Sequence, residues 1–287
     1  MGGSEMDSPY DGLLEHHDVV GDDSQWAFGT DFEDPLAGVD TTVPAGLDAA
    51  ELAAYCLMLG DDALVLSHRL SEWCSNAPDL EEDIALANCA LDLLGQARLL
   101  LARAAAADPS VVPVLPEGSP VPAEDALAFF REAVAFRCHR MVEVDNGDFA
   151  QTMVRLLLFS TVRLAAFEQL STHADPVLSA IAVKGVKELS YHRDYAARWF
   201  VTLAQGTEES ARRLAAGLDA LWPLYAELAA AYEAGPAADV VLDQVLAVAG
   251  VERPDRPPRA GTGHTEALSR LLAEMQVVAR AHPRGQW

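Results

Sequence analysis

Between Leu80 and Leu101 the sequence places apolar residues on nearly every face of what its spacing predicts as one long helix: Leu80, Ile84, Leu86, Leu91, Leu93, Leu94, Leu99, Leu100 and Leu101. A helix that is apolar all round is enclosed by other helices. Its exceptions, Asn88, Asp92 and Gln96, stand four residues apart and so form one polar stripe. Left unpaired inside a bundle, each would cost about 1–3 kcal/mol. The run therefore predicts a central helix whose neighbours bring polar partners to one line.

Those neighbours are legible. Asp48 with Glu51, and Asp79 with Glu82, have the spacing of a capping box. Asp175 precedes Pro176, which places proline at a first helical position where its missing N–H costs nothing. Gly206 stops one helix and Thr207 can cap the next, with Glu208 and Glu209 in its first turn, where acids suit the helix dipole. The predicted helices cover 48–74, 79–107, 124–143, 149–173, 176–204, 207–234, 239–249 and 265–281. No strand competes with them. Pro-rich connectors lie at 109–122 and 253–263; the second holds Gly261, Thr262 and Gly263 without the strand and helix context of a nucleotide loop. The predicted fold class is all-α, an antiparallel helical bundle with additional helices.

The first 47 residues hold 11 acids and no lysine or arginine. Such a segment cannot bury enough apolar surface to offset chain entropy, so residues 1–47 read as an acidic, disordered tail and 48–287 as the helical domain. Trp26, Phe28 and Phe32 could dock from it as a short peptide. Across the chain 44 acids face 20 bases, a net charge of −24, which argues against nucleic acid and anionic membrane as partners. No stretch approaches the roughly 20 uninterrupted apolar residues of a membrane span, and the N-terminus lacks the basic and apolar regions of a signal peptide. The expected location is the cytoplasm. Cys56, Cys74, Cys89 and Cys138 form no CxxC pair and read as reduced, buried, structural thiols.

Two other predicted helices offer partners for the stripe. Lys184, Glu188 and His192 line one face of the helix from 176, and Asp61, Asp62, His68 and Glu72 lie on the first. A polar bundle centre is where ferritin-like di-iron proteins place their ligands, two helices each giving a carboxylate and two others each giving Glu-x-x-His. Arg155, Arg163 and Arg193 read as ordinary surface arginines. No serine sits in a G-x-S-x-G elbow.

The run "LGDDALVLSHRLSEWCSNAPDLEEDIALANCALDLLGQARLLL", with "NGDFAQTMVRLLLFS", "KELSYH" and "TEALSRLLAEMQ" following in order, resembles the PaaC family of bacterial phenylacetyl-CoA epoxidase subunits over residues 50–287. The resemblance implies a ferritin-like bundle inside a multicomponent monooxygenase acting on the coenzyme A thioester of phenylacetate. It further implies a partner subunit that carries the di-iron centre, contacts with other epoxidase subunits, and a chain that could help complete the thioester pocket. By the same resemblance the ligand positions fall on Leu93 and Gln96, on Leu189 and His192, and on Ala63 and Ser160. Leucine and alanine offer no donor atom, and a two-metal site needs several anionic oxygens. The expectation is no cofactor in this chain, with Asp62, Asp92, Lys184 and Glu188 as a compensating polar network. In it, Lys184 or Lys187, the only lysines, would set an ammonium beside Asp62 or Asp92, making Lys184 worth a few kcal/mol. The alternatives are a rearranged metal site on Asp62, Asp92, Glu168, Glu188 and His192, making the chain an oxygenase or oxidase in its own right, or a free-standing helical binding protein.

Overall fold

The computed structural model describes residues 36, 38–261 and 263–285. Among them the helices are α1 (Ala49–Ser71), α2 (Leu80–Ala107), α3 (Ala123–Phe129), α4 (Arg140–Glu143), α5 (Phe149–Leu170), α6 (Pro176–Gln205), α7 (Glu208–Ala231), α8 (Gly235–Ala249) and α9 (Glu266–Ala281). Short 3-10 turns stand at Pro109–Val111 and Ala133–Ala135, and no strand occurs among the described residues.

The N-caps form where the sequence places them. Asp48 accepts from the amides of Ala50 and Glu51, Asp79 from those of Glu81 and Glu82, and Asp175 from that of Leu178. A reciprocal capping box closes at Thr207 with Ser210. The long helices α1, α2, α5 and α6 make the bundle, α1 on α2, α5 on α6 and α2 on α6. Trp199 donates to Glu82 and Gln96 to Glu188, so α2 and α6 run antiparallel. Gly185 lets α6 approach α5 closely: a Cβ there would stand 2.6 Å from the Phe167 ring, a contact that must push one of them aside.

Four expectations need correction. The predicted helix 124–143 is broken into α3, a 3-10 turn and α4, because backbone amides near its middle are diverted to buried carboxylates of α1. The central helix is α5, not α2. Both are long and apolar enough to cross a membrane by length and composition, but 83% of the most apolar window of α5 is buried against 44% for α2. Cys74 is exposed beyond the end of α1, whereas Cys56, Cys89 and Cys138 are buried; burial pushes the Cys56 and Cys89 thiols up to about 12, which keeps them protonated and inert. Finally, the expected tail is anchored near its end. Arg103, paired with the buried N-cap Asp175, donates to the carbonyls of Thr41 and Thr42. Residues 1–35 and 37, including Trp26, Phe28 and Phe32, lie outside the described residues.

Candidate functional site

Asp61 and Asp62 are both fully buried on α1. Successive helical residues point about 100° apart, so the two carboxylates meet different partners. Asp61 accepts from both terminal nitrogens of Arg131, one of them at 3.0 Å, and from the Arg137 amide at 2.8 Å. Asp62 accepts from the His139 amide at 2.7 Å, from His139 Nδ1 at 2.7 Å and from the Tyr232 hydroxyl at 2.9 Å. These amides explain why residues 130–139 leave the helix. A buried carboxylate that accepts several N–H bonds recovers part of its desolvation cost, and two helical hydrogen bonds are a small loss against leaving it without them.

From Tyr232 the network continues into the bundle through Arg163, whose side chain is fully buried. Arg163 Nη1 donates to the Tyr232 hydroxyl at 2.8 Å and to the Leu59 carbonyl at 3.0 Å, and Nε donates to Gln96 Oε1 at 3.0 Å. The guanidinium lies 4.5 Å from the Phe167 ring centroid. Gln96 Nε2 in turn donates to Glu188 at 2.9 Å, and Glu188 pairs with Lys184 at 3.1 Å. One hydrogen-bonded line thus runs from His139 through Asp62, Tyr232, Arg163, Gln96 and Glu188 to Lys184. One turn of α6 away, His192 Nε2 donates to Asp92 at 2.9 Å, while His192 Nδ1 is buried without a partner.

All six positions that the resemblance assigns to metal ligands are in the interior: Ala63, Leu93, Ser160, Leu189 and His192 at 0% exposure and Gln96 at 2%. Ala63, Leu93 and Leu189 bring only hydrocarbon, and the Ser160 hydroxyl donates to the Leu156 carbonyl of its own helix. Both ends of the Gln96 amide are engaged. A fixed guanidinium sits one turn from Ser160. This donor set does not fit a di-iron centre, which needs anionic oxygens and no resident cation. The rearranged set is not assembled either: Asp62 faces His139 and Tyr232, Asp92 and His192 pair with each other, and Glu168 is exposed on α5.

The compensating cation is Arg163, and the expected role of Lys184 is corrected accordingly. The Lys184 side chain is 36% exposed and its partner is Glu188 of its own helix, a class of ion pair worth under about 1 kcal/mol. Arg155 is also buried, holding the Val144 carbonyl and Asn146. The signal for both was present: Arg155 and Arg163 are eight residues apart in "MVRLLLFSTVRLAAF", on one face of a helix with no polar face to turn toward water.

Burial works against a charged His139, but the Asp62 carboxylate outweighs it through charge and hydrogen bonding and holds the imidazole above its ordinary value. The folded chain therefore binds this proton more tightly than the unfolded chain. The resulting stability is complete below the unfolded value of about 6.5 and is lost as pH rises through the raised folded value. Thermal melts of the wild type should show a decline in that window that His139→Gln lacks; parallel curves would refute the pairing.

A second cluster fastens the connector before α9. Glu143 accepts from the Thr265 amide at 2.6 Å, its carboxylate lies 2.5 Å from His264 Nδ1, and Cys138 donates its thiol to it at 3.6 Å. His264 Nε2 donates to the Phe136 carbonyl at 2.9 Å. Beyond it, Gln276 of α9 donates to the carbonyls of Ala128 and Arg131, stapling the broken segment in place.

The family model described as "Phenylacetic acid catabolic protein" matches residues 39–287. The chain is 37% identical over 265 residues to the C-type component of the 1,2-phenylacetyl-CoA epoxidase of Escherichia coli (strain K12), an alignment covering 83% of this chain and 99% of that one. With a ferritin-like, all-α bundle and a match spanning every described helix, the chain belongs to the phenylacetic acid catabolic protein family, on its PaaC side.

Proposed function

We propose that this chain is a non-catalytic, structural subunit of a phenylacetyl-CoA 1,2-epoxidase, pairing with and supporting the di-iron catalytic subunit in aerobic phenylacetate degradation. The observation that carries the reading is the buried Arg163 with its hydrogen-bonded line to Asp62 and Glu188. A bundle centre filled by a guanidinium and leucines keeps its architecture while giving up the donor atoms that oxygen chemistry requires. The chain's own residues then supply rigidity: Arg163 ties α1, α2 and α5 together, and Tyr232 ties in the end of α7. The iron and the oxidation belong to the partner, and a coenzyme A thioester substrate puts the assembly in the cytoplasm.

Metal analysis by plasma mass spectrometry, on protein produced with added iron, tests this. The isolated chain should carry far less than one iron, and about two per heteromeric unit should appear only on co-purification with the catalytic subunit. Two irons on the isolated chain would overturn the assignment and point back to an oxygenase in its own right.

A further inference from the structure

Three side chains that the central network does not use converge near the start of α9. Cys138 lies in the extended segment before α4, Glu143 ends α4, and His264 stands two residues before α9. The Cys138 thiol, a Glu143 carboxylate oxygen and a His264 ring nitrogen all lie within 4.8 Å of one another. Glu143 is fully buried and Cys138 nearly so, while the His264 side chain is 23% exposed.

The hydrogen bonding of this group is one cation short. The Phe136 carbonyl can only accept, so His264 Nε2, 2.9 Å away, carries a proton. In a neutral ring that leaves Nδ1 as an acceptor. Yet Nδ1 stands 2.5 Å from Glu143 Oε1, and an ionised carboxylate is also acceptor-only. A positive charge has to sit between the two atoms, and either a proton or a metal ion would serve.

The donor set, the charge and the surroundings all favour the metal. Zinc takes cysteine sulfur at about 2.3 Å and histidine nitrogen or carboxylate oxygen at about 2.0–2.2 Å, so such atoms stand about 3.3–3.6 Å apart around one tetrahedral ion. The 3.6 Å between Cys138 Sγ and Glu143 Oε1 already matches, and the imidazole needs to swing from Oε1 by under about 1 Å. A thiolate and a carboxylate neutralise a divalent ion, and a neutral imidazole adds no charge. The Arg69 guanidinium, which donates to the Glu143 backbone carbonyl, is already answered by Glu72 and Asp145. Each ligand is also oriented from outside, as metal ligands are. The Phe136 carbonyl fixes His264, and the Thr265 amide holds the other Glu143 oxygen at 2.6 Å. Cys138 is flanked by Arg137 and His139, whose amides are pinned by Asp61 and Asp62.

We infer that Cys138, Glu143 and His264 form a zinc site with water in the fourth position. On binding, the thiol proton leaves to solvent and a sulfur–zinc bond replaces the S–H bond. The ion ties the segment before α4 to the connector before α9. This site stands apart from the functional reading above. No sequence motif announces it, because 121 residues separate Glu143 from His264.

The test is a zinc titration of the full chain after chelator treatment, read by competition with a chromogenic chelator, with cobalt(II) as the spectroscopic probe. One zinc should bind per chain, and cobalt should give a sulfur-to-metal charge-transfer band in the near ultraviolet. Cys138→Ser should abolish the band and weaken zinc binding by more than the roughly 10–100-fold that loss of an outer-shell partner costs. His264→Gln should weaken zinc to a similar degree, whereas Cys74→Ser, at the exposed cysteine, should change neither reading. Zinc should raise the melting temperature of the wild type, a readout that needs no variant. Zinc held no better by the wild type than by Cys138→Ser assigns the bridge between Nδ1 and Oε1 to a proton and overturns the inference. A cobalt band that survives Cys138→Ser puts the metal on another thiol and overturns it equally. The iron content of the isolated chain, which decides the functional reading, is a separate measurement that neither result alters.

Discussion

Replacing Arg163 with methionine should destabilise the chain by about 3–5 kcal/mol, the range for removing one member of a buried charged network. For a domain of this size that is a fall in melting temperature of about 6–20 °C. Methionine fills much of the volume, so the loss is chiefly electrostatic. Gln96 Oε1 loses its donor, Tyr232 loses one of its two partners, and the carboxylates of Asp62 and Glu188 lose the cation between them. Arg163→Lys should fall between the two, because an ammonium restores the charge but not the planar fork that reaches Gln96, Leu59 and Tyr232 together. Calorimetry on the three proteins decides it. A methionine variant melting within about 2 °C of wild type, under 1 kcal/mol on the same scale, would mean the network follows the fold instead of holding it. By contrast Lys184→Met should shift melting little, since the Lys184–Glu188 pair is partly open to water.

The helices and their starts were legible because their determinants are local. Asp48, Asp79, Asp175 and Thr207 each cap the helix that begins beside them, and nothing distant competes for those amides. The segment 130–139 was not legible for the opposite reason. Its composition suits a helix, yet the amides of Arg137 and His139 are claimed by Asp61 and Asp62, more than 70 residues earlier. Tertiary demand of that kind leaves no periodic trace. The polar stripe of α2 was read correctly as needing partners at Gln96 and Asp92, which Arg163 with Glu188, and His192, supply. Its third member, Asn88, is exposed. Hydropathy alone placed α2 at the centre, since an apolar helix face reads the same whether it is covered by its own chain or by another.

Arg131→Met should cost a similar 3–5 kcal/mol at neutral pH, and its pH dependence identifies the cause. Among the described residues, fully buried Asp61 has Arg131 as its one charged hydrogen-bond partner, and the Arg137 amide supplies a further hydrogen bond. Burial already pushes the Asp61 carboxyl above its ordinary range despite Arg131; without the guanidinium it should rise further. A folded-state value above the unfolded one, about 3.9, means the ionised carboxylate opposes folding above that pH, so the penalty grows as pH rises through the shifted value. The variant should therefore lie closest to wild type near pH 4 and farthest from it near pH 7. Adding Asp61→Leu to Arg131→Met should recover most of the loss at neutral pH, because a buried pair replaced by packed hydrocarbon is often neutral or better. The resulting double-mutant cycle should give a coupling energy of about 2 kcal/mol or more. Additive losses would instead place the cost in the Arg131 contacts with the Leu127 and Ala135 carbonyls and the Phe136 ring. In that case the broken segment would be held by its own turns, and Asp61 would be a passenger in the structure that Asp62 and Arg163 organise.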